Sequence, residues 1–265
     1  MPARCTIGVD IGTSSSKGVL VDAHGEILAS ATVAHDVQRP RTGWVEMDGR
    51  IWWAEFVQLT RELLAAASAS QLEVEIAAVG VSGMGPCVLL ADDADEPVRP
   101  AILYGVDTRA TAQIDRMTDE LGVAEITRVG GPTPPPQAGG PQIVWIADEE
   151  PAAYAAARRL FMPASWLARH LTGAYVLDHQ SASQVSPLYD VEREEWHADN
   201  WARYAPGIEA PRLLWAGDIA GQVTDAAAAA TGLPAGIPVI AGTIDAWSEA
   251  VSVGAHEFGD LMLMY

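Results

Sequence analysis

Positive charge is scarce in this chain. Its 265 residues carry 16 lysines and arginines against 35 aspartates and glutamates, a formal net charge of −19. Such a surface repels nucleic acid and anionic membranes, so neither is an expected partner. Any anionic ligand must then be held by local donors or by a metal. Cysteine is scarcer still. Cys5 and Cys87 both lie in apolar runs, which fits buried thiols in a reducing cytoplasm rather than a disulfide framework. Long apolar runs are missing: none reaches the length of a bilayer span, and charged or polar residues interrupt the first one, so no secretory leader is read. The Gly-x-x-x-x-Gly-Lys-Ser/Thr spacing of a P-loop is also absent. What is present in quantity is apolar side chain, 49% of the residues. That is enough to bury the core of one large domain or two small ones, and a soluble intracellular protein is expected.

The most informative stretch is Ile7-Gly8-Val9-Asp10-Ile11-Gly12-Thr13-Ser14-Ser15-Ser16-Lys17. An apolar run ends in a carboxylate, a turn of small hydroxyl residues follows, and a second apolar run begins after Lys17. Small residues let backbone N–H groups come close to an anion, and hydroxyls add donors. Asp10 at a strand end suits Mg²⁺, which prefers carboxylate oxygen and keeps much of its water. A plain β-hairpin with a polar turn has the same pattern.

Along the chain, residues 5–35 read as a three-stranded meander. Asp48 is placed to cap a helix that runs to about Ser70, with Trp52, Phe56, Leu59 and Leu63 on one apolar face. Trp44 and Glu46, in irregular chain before it, either reach a ligand or cap the core. Ile76 to Ser82 reads as a strand buried on both faces, ending at Gly83-Met84-Gly85-Pro86. Short strands follow over 87–91 and 101–104, then a helix from Thr108 to Leu121 that Asp107 is placed to cap. Gly130 to Gly140, rich in proline and glycine, reads as an irregular loop or lid base. Helices are expected over 141–147, 151–159, 164–171 and 224–231, and a strand over 237–241. That strand leads into Gly242-Thr243-Ile244-Asp245, where the carboxylate is an N-cap or a general base. Three glycine-marked strand ends, at Asp10, Ser82 and Asp245, are expected on one edge of an α/β sheet. Two carboxylates would then face one cleft, one for a metal and one to take a proton during phosphoryl transfer.

These motifs, in this order, resemble the FGGY carbohydrate kinases. Asp10-Ile11-Gly12-Thr13-Ser14 with Lys17 is similar to the family's first phosphate motif. Gly43-Trp44-Val45-Glu46-Met47-Asp48 with Trp52-Trp53, and Arg99 to Tyr104 with Asp107 and Arg109, are similar to further family segments. So are Thr231 to Val239 and Ala241 to Asp245. The resemblance implies an actin-like, ribonuclease H-like α/β fold, a mixed sheet with helices on both faces, with sugar and ATP meeting between two domains. It implies Asp245 as the base, Asp10 near Mg²⁺, and Gly12, Thr13, Ser14 and Lys17 near the ATP phosphates. Met84, Tyr104, Asp107 and Asp245 would border the sugar or polyol.

Three departures accompany it. Met84-Gly85-Pro86 stands where many xylulose kinases have Gln-Met-His, so a different polyol is expected. Gln142 stands where a lysine is usual. Residues 1–254 would form the sugar-binding domain, and 255–265 only the start of a second domain that supplies the adenosine pocket. The strand expected at Gly259 to Tyr265 is loose, packed on the first domain, or paired with another chain, which leaves a homo-oligomer open. Little or no kinase activity is expected from the 265 residues alone. An actin-like ATPase without a sugar, and a non-catalytic binding module, are the alternatives.

Overall fold

The computed structural model describes residues 2–105, 107–131, 137–255, 257 and 259–263. Strands β1 (Ala3–Ile11), β2 (Ser15–Asp22) and β3 (Ile27–Ala34) make the expected antiparallel meander. Alternation drives it: Cys5, Ile7, Val9 and Ile11 of β1 all point into the core. After the short β4 (Glu46–Met47), helix α1 (Arg50–Ala69) buries Trp52, Phe56, Leu59 and Leu63 on one face and returns the chain to β5 (Val74–Gly83), parallel to β1. Each of those side chains contributes about 1.5–3 kcal/mol by leaving water. Asp48 is not the N-cap of α1. Gly49 holds that position, and Asp48 accepts the Arg50 N–H at 3.0 Å from just outside the helix.

A lobe follows, made of β6 (Leu89–Ala91), β7 (Ala101–Ile102), α2 (Thr111–Leu121), α3 (Val123–Gly130), α4 (Gly139–Glu149), α5 (Pro151–Ala156) and β8 (Arg159–Phe161). It shares its own core with segments further on, including Val88, Leu90, Ile143, Leu160 and Trp201. Helix α6 (Pro163–Thr172) then packs back on the sheet. The chain continues through β9 (Val176–Asp178), α7 (His179–Ser183), β10 (Tyr189–Asp190), β11 (Glu195–Trp196), α8 (Ala198–Tyr204) and β12 (Arg212–Leu214). It closes with β13 (Ile219–Gln222), α9 (Asp225–Thr231), β14 (Pro238–Ile240), β15 (Thr243–Ile244) and α10 (Asp245–Ser252).

The central sheet runs β13-β14-β5-β1-β2-β3, with β15 also paired to β5. Strands β1, β5, β14 and β15 are parallel, while β2, β3 and β13 are laid antiparallel to their neighbours. Helices α1, α6 and α9 cover one face around Ile7, Val9, Val79 and Val81. Helix α10 lies over the other face, where Ser248 stands near Gly8, Gly80 and Ile240. Gly8, Val19, Ala78 and Gly80 lie on that second face, and Trp247 and Val251 of α10 remain exposed beside it.

Three expectations need correction. The helix after Asp107 starts only at Thr111, with Ala110 as a cap that makes no side-chain bond. The run expected to be irregular contributes its first residue to α3 and its last two to α4, and Pro132 to Pro136 lie outside the described residues. Gly259 to Leu263 form no strand, and Leu261 and Leu263 are exposed. Cys5 and Cys87 are buried free thiols, as expected. Among the described residues no helix is long and apolar enough to cross a membrane.

Candidate functional site

The registers of four neighbouring strands bring the motifs into one row. Lys17 on β2 is opposite Asp10 on β1, Asp10 is opposite Ser82 on β5, and Ser82 is opposite Thr243 on β15. Adjacent strands are about 4.8 Å apart, so residues scattered over more than 220 positions share the carboxyl edge of one sheet. Ser82 Oγ donates to Asp10 Oδ1 at 2.7 Å. Asp10, Lys17 and Ser82 open onto a cavity of about 340 Å³ whose walls include Gly8, Gly80 and Ser248. Lys17 is exposed, and it is the only lysine in the chain.

Asp245 starts α10 two residues beyond Thr243, and its Oδ1 accepts the Ala246 N–H at 2.8 Å. Burial pushes its carboxyl up to about 6, opposed by the Ala246 N–H and reinforced by the charges of Asp10 and Glu249. Asp10 and Asp245 are therefore close enough to feel each other. Tyr104 belongs to the same cluster: the Thr13 hydroxyl donates to its phenol oxygen at 3.3 Å, and the charge of Asp245 adds to the burial that raises its pKa.

The seat of Asp245 depends on two glycines. Gly242 has φ +71°, and a Cβ there would overlap the Val81 carbonyl. A Cβ on Gly85 would overlap the side chain of Ile244. The unusual Met84-Gly85-Pro86 run is thus matched to Ile244, the neighbour of Asp245. From below, Thr243 Oγ1 donates at 2.7 Å to Asp178, a buried carboxylate that also caps α7 through the Ser181 N–H at 3.0 Å. Gly242→Ala is expected to cost about 3 kcal/mol or more, from left-handed strain and overpacking together. Urea unfolding measures it, and a variant as stable as its parent would contradict this account of the β15 seat.

Gly12, Thr13 and Ser14 form the turn at this edge, with Thr13 and Ser14 exposed. Met84 and Asp107 are different. Both are 0% exposed, so as placed they have no surface to offer a sugar. Met84 is held by its N–H, which donates to the Ile11 carbonyl at 2.7 Å. Asp107 Oδ2 accepts the Val45 N–H at 2.8 Å and Arg109 Nη2 at 2.7 Å. Arg109 in turn donates through Nη1 to Glu46 Oε1 at 2.6 Å, where Arg99 Nη2 also donates at 2.6 Å. The Arg109 guanidinium lies 4.2 Å from the Trp44 ring centroid. Glu46 is therefore a core residue, while Trp44 stays half-buried above the network.

Behind the turn is a group that no motif marked. Ser16 Oγ donates to Glu55 Oε2 at 2.5 Å, His35 Nδ1 lies 2.9 Å from the same oxygen, and His35 Nε2 lies 3.0 Å from the Gly12 carbonyl. One signal was present: Glu55 shares the apolar face of α1 with Trp52 and Leu59, and a carboxylate buried there needs a partner.

Among the described residues no group of three histidine, cysteine, aspartate or glutamate side chains could cage a metal. Asp10 alone, beside a hydroxyl, fits Mg²⁺ carried mainly by water and phosphate oxygens.

A model of the FGGY family of carbohydrate kinases, N-terminal domain, matches residues 5–252. The chain is 28% identical over 258 residues to the xylulose kinase of Klebsiella pneumoniae, covering 97% of this chain and 52% of that one. It is 32% identical over 234 residues to the glycerol kinase of Nocardia farcinica, covering 83% of this chain and 45% of that one. Among solved structures, the xylulose kinase from Rhodospirillum rubrum superposes with a TM-score of 0.90 at 29% identity, over 97% of this chain and 52% of that one. The chain spans about half the length of the curated relatives it matches. The fold shared with such neighbours is the actin-like ATPase fold.

Proposed function

The chain belongs to the FGGY family of carbohydrate kinases, and we propose that it forms the sugar-binding half of an enzyme that moves the γ-phosphoryl group of ATP to a sugar or polyol hydroxyl. One observation carries the reading: Asp245, with its carboxyl raised to about 6, stands near Asp10 at adjoining strand ends. At neutral pH such a carboxyl is ionised yet basic enough to accept a hydroxyl proton. The sugar oxygen then attacks the terminal phosphorus while Asp245 takes its proton, and the bond from that phosphorus to the β-phosphate oxygen breaks to release ADP. Backbone N–H groups of the Gly12–Ser14 turn, the Thr13 and Ser14 hydroxyls and Lys17 hold the nucleotide phosphates. Asp10 would hold Mg²⁺, and that ion would supply neutralisation of phosphate charge. Tyr104 borders the sugar on the side of Thr13. Asp107 and Met84 shape that side from beneath, Asp107 by fixing Arg109 under Trp44.

Residues 1–254 are the sugar-binding domain in this reading, and the chain from 255 onward leads toward a second domain that binds adenosine. The protein works in the cytoplasm, where ATP is available and the two free thiols stay reduced. The 265 residues by themselves are expected to turn over little or no ATP. A panel of pentoses, hexoses and polyols, screened by thermal shift against the chain, should raise its melting temperature for one stereochemical class. ADP release that depends on the same sugar should appear once the second half is supplied. No shift with any sugar, and no sugar-dependent ADP release from the two halves together, would remove the proposal.

A further inference from the structure

The Ser16–Glu55–His35 group has no part in the chemistry above, and only Ser16 belongs to a stretch singled out in the sequence, yet the group is almost closed to water. The side chains of His35 and Glu55 are 5% and 10% exposed, and Ser16 is fully buried. His35 grips the phosphate turn twice. Its backbone N–H donates to the Ser14 carbonyl at 3.1 Å, and its Nε2 lies 3.0 Å from the Gly12 carbonyl. In a trans peptide the C=O and the following N–H point in opposite directions. A Gly12 carbonyl turned toward His35 therefore turns the Thr13 N–H away from it. A Ser14 carbonyl turned toward His35 does the same to the Ser15 N–H.

A carbonyl oxygen can only accept, so Nε2 carries a proton. The other ring nitrogen faces the Glu55 carboxylate, at 2.9 and 3.1 Å from its two oxygens, and the Ser16 hydroxyl donates to that carboxylate as well. The ring is thus locked with Nε2–H aimed at the turn and Nδ1 turned to Glu55.

We propose that His35, oriented by Glu55 and Ser16, is a positioning residue for nucleotide phosphate: it holds the Gly12 peptide so that the turn presents its N–H groups to the anion. The inference deepens the kinase reading and rests on it. It makes a distinction that simple packing does not. Glutamine can put an amide nitrogen where Nε2 is, and asparagine can mimic only the Nδ1 side.

The test uses the intact protein and titration calorimetry with Mg·ADP and, separately, with the sugar found by thermal shift. His35→Asn is expected to weaken Mg·ADP binding about tenfold, through loss of the hydrogen bond that fixes the Gly12 carbonyl. His35→Gln is expected to stay within about threefold of the parent, and sugar affinity should not move in either variant. A His35→Asn protein that binds Mg·ADP like its parent overturns the inference and leaves the kinase reading intact. So does equal loss with both substitutions, or loss of sugar and nucleotide binding together. A parent that binds no nucleotide overturns both. If His35→Asn does not fold, the ¹⁵N spectrum of the parent decides: a protonated Nε2 on His35 supports the inference, and a bare Nε2 ends it.

Discussion

Replacing Asp245 by asparagine is expected to lower kcat roughly 100- to 10,000-fold in the intact kinase, the usual contribution of a positioned general base. Substrate KM values should change little, because the amide fills the same space and keeps an acceptor for the Ala246 N–H. The parent's kcat/KM should fall about tenfold per pH unit below about 6, since a protonated carboxyl accepts nothing. The variant's residual rate should lack that limb. Stability should move the opposite way. The Asp245 carboxyl has a folded pKa of about 6 against an ordinary aspartate value of 3.8. The native state therefore binds the proton more tightly than the unfolded chain, and stability falls as pH rises from about 4 to 6. Asparagine removes that penalty. Discounted for partial exposure, the gain at pH 7 is about 1 kcal/mol, and it should vanish below about pH 4. Melting curves at pH 4 and pH 7 measure it. A variant that loses activity and also stability at pH 7 would show that Asp245 is a structural cap instead.

Arg109→Met is expected to be the most destabilising single change at the sugar side. Arg109 and Asp107 are both closed to water, and Arg109 also serves Glu46. Removing the guanidinium leaves Asp107 as a buried charge held only by the backbone N–H groups of Val45 and of residue 109. Breaking such a pair from one side costs about 3–5 kcal/mol, or roughly 6–20 °C of melting temperature for a chain of this size. Glu46 is cushioned because Arg99 still donates to it. Adding Asp107→Asn to Arg109→Met should recover part of the loss, since no unpaired charge then remains. A single variant within about 1 kcal/mol of the parent would mean that water reaches this network. The two largest effects thus separate cleanly, one falling on rate with a gain in stability and the other falling on stability first.

The edge that gathers Asp10, Ser82 and Asp245 was readable because its punctuation is local. Asp10, Ser82 and Asp245 each follow an apolar run and stand beside glycine, and parallel strands deliver such ends to one side. The meander and α1 were readable for a similar reason, their periodicity being unbroken. Asp107 was not, because its choice of partner is long-range. A cap for the next helix was available locally, but Val45, 62 residues earlier, and Arg109 together offered four donors in a dry site, and the helix began four residues later. Helix α3 was missed because Gly122, at φ +80°, splits what reads as one helix and a loop into two helices. The short strands between Val176 and Leu214 carry two or three residues each, too few for a period to register. His35 and Glu55 are 20 residues apart with nothing between them that announces a pair.

Lys17 has a consequence beyond its proposed part in phosphate binding. An exposed strand position holds the sole ε-amine of the whole polypeptide, so acylating reagents have a single side-chain target. It faces Asp10 across the hairpin that bears the turn. Any occupant of that turn must shield this nitrogen, and the fold has in effect written its own footprinting reporter into the place where a nucleotide would rest.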